Sequence, residues 1–231
     1  MSNVRVSCIV PSFNRPKFIK HCIYLFNQQT WPNKEIIIVD DSSKPYNLKE
    51  SDSLKYIRLT KKVSIGEKRN IATKAATGSI VIFWDDDDWY GKTRIQKQVQ
   101  PILNNNVDMT MLKNFRYFRL CDGKVYETSK KLTDRLFEGT DGFHGGTLCF
   151  RKKIFSDGVR FPKKSIAEDA IFYIRATNRG YKTKAINAKG LFLYVRHKNT
   201  YDFNLDSRWK KVNAESKMSS KSRVFYKTFK K

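Results

Sequence analysis

The feature that most constrains this chain is an apolar run that leads directly into four consecutive aspartates. Ile80–Trp84 is continuously apolar and rich in β-branched and aromatic residues, and Asp85–Asp88 follows at once. An apolar run of this length and composition is typical of a strand buried inside a parallel sheet. Adjacent carboxylates repel one another, so a fold gains from such a cluster only where something positive binds to it. The sequence therefore predicts a buried strand with a charged site at its carboxyl end.

The acid run has the residue type that a divalent cation site requires. Mg²⁺ and Mn²⁺ take oxygen ligands, usually one or two carboxylates plus substrate phosphates. In an extended chain the side chains alternate, so we expect Asp85 and Asp87 to face one way and Asp86 and Asp88 the other. We interpret the segment as an Asp-x-Asp site for a metal ion and a nucleotide. A solvated acidic turn is the alternative.

The segments around this strand alternate between strand and helix patterns. The predicted strands are Val4–Val10, Glu35–Val39, Leu54–Leu59 and the run that precedes the aspartates. Predicted helices begin at Pro16, at a capping box formed by Ser64 and Glu67, and near Ile95. This alternation predicts an α/β fold with a mostly parallel central sheet flanked by helices.

Polar residues follow three of the predicted strands, at Pro11–Asn14, Asp40–Asp41 and Asp85–Asp88. In open α/β sheets, ligands bind outside the carboxyl ends of the strands, so the three ends together predict a nucleotide crevice. Neither a GxGxxG fingerprint nor a GxxxxGK[ST] loop occurs. Their absence argues against a dinucleotide site and against a P-loop.

Beyond residue 106 the strand patterns become shorter and mixed. They are Val107–Leu112, Phe115–Leu120, Lys124–Thr128, Leu148–Arg151, Lys182–Asn187 and Leu191–Arg196. We interpret Phe143–Thr147 as a flexible loop, and Ser165 with Glu168 as the capping box of a further helix. We therefore expect one domain in two halves, residues 1–114 and 115–206, followed by a basic tail over residues 207–231. Packing of Phe225, Tyr226 and Phe229 on the domain is the alternative for part of this tail.

The charge balance is strongly basic, with 46 Lys and Arg against 22 Asp and Glu, for a net charge of +24. Such a chain attracts polyanions, including nucleic acid, acidic membranes and phosphorylated small molecules.

No apolar run has transmembrane length, and Val4–Val10 favours a strand over a signal peptide. Four cysteines without metal-site spacing favour a reducing compartment. We expect a cytoplasmic protein whose basic tail contacts an anionic surface.

The motifs, taken in order, resemble those of the family 2 glycosyltransferases. The matching segments are Val10–Arg15, Ile38–Ser43, Gly66–Asn70, Ala76–Ser79, Phe83–Asp88 and Ala167–Asp169, with a looser match at Arg196–Thr200. The resemblance implies the GT-A fold and an inverting transfer from a nucleotide-sugar, with UDP-sugars favoured, to a glycan, protein or lipid acceptor. It also implies that the first half binds the donor, while the second half binds the acceptor and supplies the catalytic base.

The resemblance also implies roles for individual residues. Asp87 is the expected metal ligand, together with Asp85 and His197, and the ion is Mn²⁺ or Mg²⁺ acting as a Lewis acid on the diphosphate. For Asp86 and Asp88, a solvated pair that tunes the local field is the alternative. The residues assigned to the nucleotide-sugar pocket are Pro11, Asn14, Asp40, Asp41, Lys68, Arg69, Asp85 and Asp86.

Several of these pocket residues have a structural alternative. Asp40 or Asp41 can cap a turn, and Pro11 can simply end a strand. Lys68 and Arg69 lie in the first turn of a capped helix, where anions are favoured, although both can also belong to a solvated helix face.

The second half is expected to carry the catalytic pair. An inverting transfer needs a base for the acceptor hydroxyl, and the resemblance assigns that role to Asp169. Its neighbour Glu168 belongs to the same pair and also completes the predicted capping box. His144, Gly145 and Gly146 are expected to form an acceptor-side loop, with a hydrogen-bonded structural role as the alternative for His144.

Two other functions fit part of the sequence. A sugar nucleotidyltransferase has a similar fold, but it usually carries a glycine-rich phosphate loop near the first strand, and Ser12–Lys17 contains no glycine. A catalytically weak, basic module that binds nucleic acid or an anionic polymer fits the net charge, but the intact set of acids argues against it.

Overall fold

The computed structural model describes residues 3–104, 107–128, 143–197, 209–212 and 218–229. In these residues the strands are β1 (Val6–Ser12), β2 (Lys34–Asp40), β3 (Leu54–Arg58), β4 (Ile80–Phe83), β5 (Trp89–Tyr90), β6 (Met109–Lys113), β7 (Arg116–Arg119), β8 (Lys124–Thr128), β9 (Phe143–Arg151), β10 (Thr183–Asn187), β11 (Phe192–Arg196) and β12 (Trp209–Val212). The helices are α1 (Pro16–Asn27), α2 (Ile65–Ala75), α3 (Arg94–Leu103), α4 (Lys152–Ser156), α5 (Glu168–Thr177) and α6 (Ser220–Lys227).

A seven-stranded sheet forms the centre of the fold, in the order β10-β6-β9-β4-β1-β2-β3. β1 pairs in parallel with both β2 and β4, and β2 pairs in parallel with β3. The apolar runs explain this placement, because β1, β2 and β4 are almost entirely buried. The polar segments that follow these three strands therefore meet at one edge of the sheet, as predicted.

Helices cover both faces of this sheet. On one face, α1, α3 and α6 contribute Phe18, Ile95 and Tyr226 to an apolar core. On the other face, α2 and α5 contribute Ala72 and Phe172 to a second core. Strands β9 and β10 of the predicted second half join the central sheet, so both predicted halves share the same cores.

A five-stranded sheet in the order β12-β8-β7-β11-β5 forms the smaller mixed part. β7 and β8 make a hairpin in which Gly123 has a φ of 63°, a left-handed conformation that the Asp122-Gly123 pair suits. β11 pairs with β5, and β5 directly follows the acid run. The second sheet is therefore tied to the carboxyl end of β4.

Two local predictions in the second half are wrong. β9 begins at Phe143, so residues 143–147 are part of a strand and not a flexible loop. Ser165 does not cap α5, because the residue before this helix is Ala167, which has a left-handed φ of 58° and no side-chain cap. The Ser165 hydroxyl instead accepts a hydrogen bond from the Ile65 amide at 3.2 Å.

Helix α6 packs onto the domain through its aromatic residues. Tyr226 is 1% exposed. The Phe225 ring stacks on His21 with ring centres 4.0 Å apart, and Phe229 stacks on Phe18 at 4.5 Å. These rings belong to the same apolar core as α1.

This packing favours the alternative over a separate basic tail spanning residues 207–231, since residues 218–229 are part of the domain. Lys221, Arg223 and Lys227 lie on the exposed side of α6, and their contact with an anionic surface stays a prediction. Residues 207, 208, 213–217, 230 and 231 lie outside the described residues. Within the described ranges, no helix combines the length and the apolar character that crossing a membrane would require.

Candidate active site

The acid run does not continue the strand. β4 ends at Phe83, and Asp85–Asp88 lie in the turn that leads to β5. The expected alternation of the four side chains is therefore wrong, because it required an extended chain. A solvated acidic pair is excluded as well, since Asp86 and Asp88 are only 3% and 1% exposed.

Arg15 is the counter-ion at the centre of this turn. Its Nη1 atom donates to Asp86 Oδ1 at 2.8 Å and to Asp87 Oδ2 at 2.7 Å. The Ser12 hydroxyl donates to the other oxygen of Asp86 at 2.5 Å. The turn after β1 therefore holds the acids that follow β4. Arg15 was not among the predicted site residues, although it ends the matching segment Val10–Arg15 and is a cation in a turn that the topology places beside four carboxylates.

His197 lies beside Asp87, with Nε2 at 2.9 Å from Asp87 Oδ2. Its ring stacks on Phe18 at 4.9 Å, and Phe18 in turn stacks on Phe229 at 4.5 Å. A row of three rings therefore connects α6 to the acid turn. Residues 198–200 of the same predicted element lie outside the described residues.

Contacts from three other elements hold the acid turn. The Tyr90 hydroxyl donates to the Asp85 carbonyl at 2.9 Å, the Tyr226 hydroxyl to the Asp87 carbonyl at 3.4 Å, and the Val195 amide to the Asp88 carboxylate at 2.8 Å. Asp88 therefore acts within the protein, as an anchor between the turn and β11.

Arg69 connects the acid run to the second half of the chain. It is buried, its Nη2 donates to Asp85 Oδ1 at 3.2 Å, and its Nη1 lies 2.9 Å from Glu168 Oε1. Its guanidinium lies 3.8 Å from the centre of the Phe83 ring. Glu168 is therefore the ion-pair partner of Arg69 and not a helix-capping residue. A solvated helix face is excluded for Arg69.

Two adjacent glycines in β9 lie directly against Asp169 and Asp85. A Cβ atom at Gly145 would overlap the Asp169 carboxylate, and a Cβ atom at Gly146 would come within 2.8 Å of Asp85 Oδ2. The backbone of β9 therefore passes directly against both carboxylates, which only residues without a side chain allow. Asp169 is half-buried, and its Oδ1 accepts a hydrogen bond from the Ala170 amide at 2.7 Å.

His144, the third member of the predicted acceptor-side group, is packed among aromatic rings. Its ring centre lies 4.3 Å from that of Tyr194 and 4.9 Å from that of Phe115. Burial lowers the pKa of His144 to about 4, although the nearby Asp169 carboxylate acts in the opposite direction. This environment favours the structural alternative, a neutral imidazole that packs behind the two glycines.

The loop before α5 is fastened to α2 by two residues of the Gly66–Asn70 motif. The Gly66 amide donates to the Lys164 carbonyl at 2.9 Å, and a Cβ atom at this position would overlap the Pro162 carbonyl. The Asn70 side chain donates to the Phe161 carbonyl at 2.9 Å and accepts from the Phe161 amide at 3.0 Å. These contacts place the start of α5, with Glu168 and Asp169, beside α2.

The carboxylates at the end of β2 are occupied by their own chain. Asp40 is fully buried and accepts hydrogen bonds from the Ser42 amide at 2.8 Å and the Tyr56 hydroxyl at 2.7 Å. Asp41 forms an ion pair with Lys68, and both side chains are buried. The turn-capping alternative accounts for Asp40, and a solvated helix face is excluded for Lys68.

Pro11 and Asn14 lie at the carboxyl end of β1. Asn14 has a left-handed φ of 54°, which asparagine tolerates better than most residues. Its side-chain oxygen accepts a hydrogen bond from the Ser43 amide at 3.0 Å. Asn14 is exposed and Pro11 is partly exposed. Both therefore line the rim of the sheet edge, while Asp40 and Asp41 lie beneath it.

Burial changes the protonation of the acid run. Burial raises the pKa of Asp85 to about 6 against the effect of Arg69, and it raises the pKa of Asp86 and, more strongly, that of Asp88. Burial acts on Asp87 in the same direction, but the Arg15 guanidinium and the His197 hydrogen bond hold the Asp87 pKa below its usual value. Asp87 is therefore the member of the run whose ionised form is best stabilised.

Asp87 and His197 together offer two donors for a divalent ion. Asp85 instead forms an ion pair with Arg69. The structure therefore does not bring the three predicted ligands, Asp85, Asp87 and His197, together. Over the described residues, no group of three or more acidic, histidine or cysteine side chains could hold a metal ion. Two protein donors nevertheless fit an ion that usually takes one or two carboxylates plus substrate phosphates.

The family described as "Glycosyl transferase family 2" matches residues 7–159, well over half of the chain. This chain belongs to glycosyl transferase family 2. The matched stretch contains the ends of β1, β2 and β4, the acid run and β9. Glu168 and Asp169 lie beyond it.

Characterised relatives of this family 2 chain share part of its length. WfgD of Escherichia coli, a UDP-Glc:α-D-GlcNAc-diphosphoundecaprenol β-1,3-glucosyltransferase, is 30% identical over 112 residues, which are 46% of this chain and 44% of WfgD. TarS of Staphylococcus aureus, a poly(ribitol-phosphate) β-N-acetylglucosaminyltransferase, is 29% identical over 120 residues, which are 48% of this chain and 21% of TarS. This chain therefore matches less than half the length of either relative.

Solved structures resemble this chain over most of its length. TarS of S. aureus in complex with UDP-GlcNAc has a TM-score of 0.63 at 21% identity, covering 85% of this chain and 60% of that one. The mannosyltransferase PcManGT of Pyrobaculum calidifontis, in complex with GDP-Man and Mn²⁺, has a TM-score of 0.66 at 17% identity, covering 87% of this chain and 59% of that one. This likeness confirms the predicted GT-A fold.

Proposed function

We propose that this chain transfers a sugar from a UDP-sugar to a hydroxyl group of a glycan, protein or lipid acceptor, with inversion at the anomeric carbon. Family membership supports the reaction class. The TarS complex with UDP-GlcNAc and the donor in the name of WfgD support a uridine nucleotide.

The single observation that carries the proposal is that Asp85 and Asp169 both lie against the backbone of β9, at Gly146 and Gly145 respectively. Asp85 belongs to the acid run at the carboxyl end of the parallel strands, where open α/β sheets bind ligands. Asp169 comes from α5, and Arg69 joins both regions through Asp85 and Glu168. A donor held by the acid run would therefore present its sugar to the Asp169 carboxylate.

The donor follows the sheet edge in this proposal. Its nucleoside binds at the rim formed by Pro11 and Asn14, above Asp40 and Asp41, and its diphosphate lies toward Asp87. A bound Mn²⁺ or Mg²⁺, held by Asp87 and His197, would offset the negative charge that develops on the diphosphate as the sugar leaves.

Asp169 is the base of the transfer step. It accepts the proton of the acceptor hydroxyl while that oxygen forms a bond to the anomeric carbon. The bond from the anomeric carbon to the diphosphate oxygen breaks, and its electron pair leaves with the nucleoside diphosphate. Attack from the face opposite the leaving group inverts the configuration. Asp169 suits this role because it is only half-buried, so an acceptor can reach it.

We expect UDP to bind more tightly in Mn²⁺ than in EDTA, and more tightly than GDP or TDP under the same conditions. The physical reason is that Asp87 and His197 provide only two donors, so ion and diphosphate complete each other's coordination. Calorimetry with the three nucleotides, each with Mn²⁺ and with EDTA, measures this. Equal UDP affinity with and without the ion would contradict a metal-dependent donor site.

Gly145→Ala should lower the rate of transfer by roughly 100-fold, because the added methyl group displaces the Asp169 carboxylate without removing it. UDP affinity should stay nearly unchanged. Gly146→Ala is the matched control, since its methyl group meets Asp85 and the His144 ring and should weaken donor binding instead. Transfer kinetics and UDP titrations of both variants measure the contrast. Identical behaviour of the two variants would mean that β9 does not separate a donor side from a base side.

A further inference from the structure

Arg15 occupies the position where a cation would bridge two carboxylates of the acid run. A single nitrogen, Nη1, lies 2.8 Å from Asp86 Oδ1 and 2.7 Å from Asp87 Oδ2. The two carboxylate side chains are 1% and 8% exposed, whereas the Arg15 side chain is 25% exposed. The guanidinium therefore closes the pair of acids from the solvent side.

The same oxygen atom serves Arg15 and His197. Asp87 Oδ2 lies 2.7 Å from Arg15 Nη1 and 2.9 Å from His197 Nε2. A divalent ion held by Asp87 and His197 would have to approach this oxygen. Arg15 and the ion therefore compete for one atom, and the repulsion between two cations at that distance makes joint occupancy unfavourable.

The backbone of Arg15 is held in place, whereas a quarter of its side-chain surface is exposed to solvent. Its amide donates to the Tyr46 hydroxyl at 2.9 Å, and Pro16 begins α1 directly after it. A long side chain on a fixed backbone can leave the carboxylates by rotating toward solvent. Its charge then needs another anion nearby, and a nucleoside diphosphate bound at the sheet edge would provide one.

We propose that Arg15 is a built-in counter-ion that excludes the divalent ion from Asp87 until a nucleoside diphosphate binds. The proposal rests on the metal-dependent transfer proposed above. Without the nucleotide, Arg15 neutralises Asp86 and Asp87 and keeps the turn in place. With the nucleotide, the diphosphate attracts Arg15 and completes the coordination of the ion. Ion and nucleotide therefore enter together, and the ion alone binds weakly.

Binding of Mn²⁺ without nucleotide tests this. An opposite charge within 4–6 Å shifts the affinity of a carboxylate for its proton by about 10- to 1,000-fold, and we expect its removal to act similarly on a metal ion. Arg15→Gln should therefore bind Mn²⁺ at least about tenfold more tightly than the wild type. Arg15→Lys, which keeps the charge, should stay close to the wild type. Calorimetry and the Mn²⁺-dependent shift of the melting temperature measure the affinities, and adding Asp87→Asn to Arg15→Gln should abolish the gain.

The possible results separate the two proposals. Arg15→Gln with Mn²⁺ affinity equal to or below that of the wild type, without nucleotide, would overturn the role of Arg15. If Arg15→Gln is unfolded in EDTA, Mn²⁺ should restore its melting transition, because the ion replaces the lost charge; failure of Mn²⁺ to do so also overturns the role. No Mn²⁺ binding by the wild type even with saturating UDP would instead overturn the metal-dependent function itself.

Discussion

Asp169→Asn should lower the turnover of sugar transfer by about 10²–10⁴-fold, the usual cost of losing general-base help. Asparagine keeps the size of the side chain and can still accept the hydrogen bond from the Ala170 amide, but it cannot take up the acceptor proton. In the proposed arrangement the donor is held at the other side of β9, so UDP affinity should remain within about twofold of the wild type. Transfer kinetics, with UDP titrations alongside, measure both quantities.

Asp157→Asn is the matched control for this substitution. Asp157 is an exposed aspartate that pairs with Lys153 on the surface, so the same chemical change there should leave transfer unaltered. Near-normal transfer by Asp169→Asn would remove Asp169 from the role of base. An equal loss of UDP affinity and turnover would place Asp169 in donor binding instead.

Arg69→Met should lower the free energy of unfolding by about 3–5 kcal/mol, the typical cost of removing one partner from buried ion pairs. Arg69 is buried between Asp85 and Glu168, and methionine would leave both carboxylates without their cation. Urea denaturation measures the change. The variant should also lose transfer activity, because Asp85 and α5 are no longer tied to each other.

Arg116→Met provides the comparison for Arg69→Met. Arg116 pairs with Glu127 where both side chains are partly exposed to solvent, and such surface pairs contribute only about 0–1 kcal/mol. A loss of unfolding free energy for Arg69→Met as small as that for Arg116→Met would show that the two buried ion pairs add little to stability. The link between donor side and base side would then need another explanation.

Two segments with the same capping-box pattern show what a local sequence pattern can predict and what it cannot. Ser64 and Glu67 exchange both hydrogen bonds of the motif at the start of α2. Ser165 and Glu168 have the same spacing and form no such box, because Glu168 pairs with Arg69, almost 100 residues away in the chain. Glu168→Gln would therefore remove one charge of a buried ion pair and not merely change a helix cap. Local patterns predicted the helix but not the distant charge that its first residue binds.

The central sheet was predictable because its strands have a clear local sequence pattern. Continuous apolar runs such as Ile36–Val39 have one stable environment, a strand covered on both faces, and the polar residues that follow show where the edge lies. The orientation of each acid was not predictable, because the chain leaves the extended conformation after Phe83. Arg15 pairs with Asp86 and Asp87. Its position beside them depends on the pairing of β1 with β4.

Phe225, Tyr226 and Phe229 indicated that part of the C-terminal segment packs on the domain, but helix α6 itself was not predicted, because its apolar residues are few and aromatic. Their partners, Phe18 and His21, lie about 200 residues earlier in the chain. A short helix of this kind is stabilised by tertiary packing rather than by its own propensity. No pattern within residues 218–229 could therefore have predicted where it docks.

The contact between Tyr226 and the acid turn has a consequence for the timing of biosynthesis. Tyr226 and Asp87 are separated by 139 residues. At a synthesis rate of about 5–20 residues per second, the ribosome adds this stretch in roughly 7–28 s. Throughout that interval the nascent chain has β1–β4 and the aspartates, and the later strands are still being added, but the helix that supports the turn is absent. Phe18 and His21 of α1 then lack their aromatic partners Phe229 and Phe225, and we expect the exposed rings to promote self-association until α6 docks.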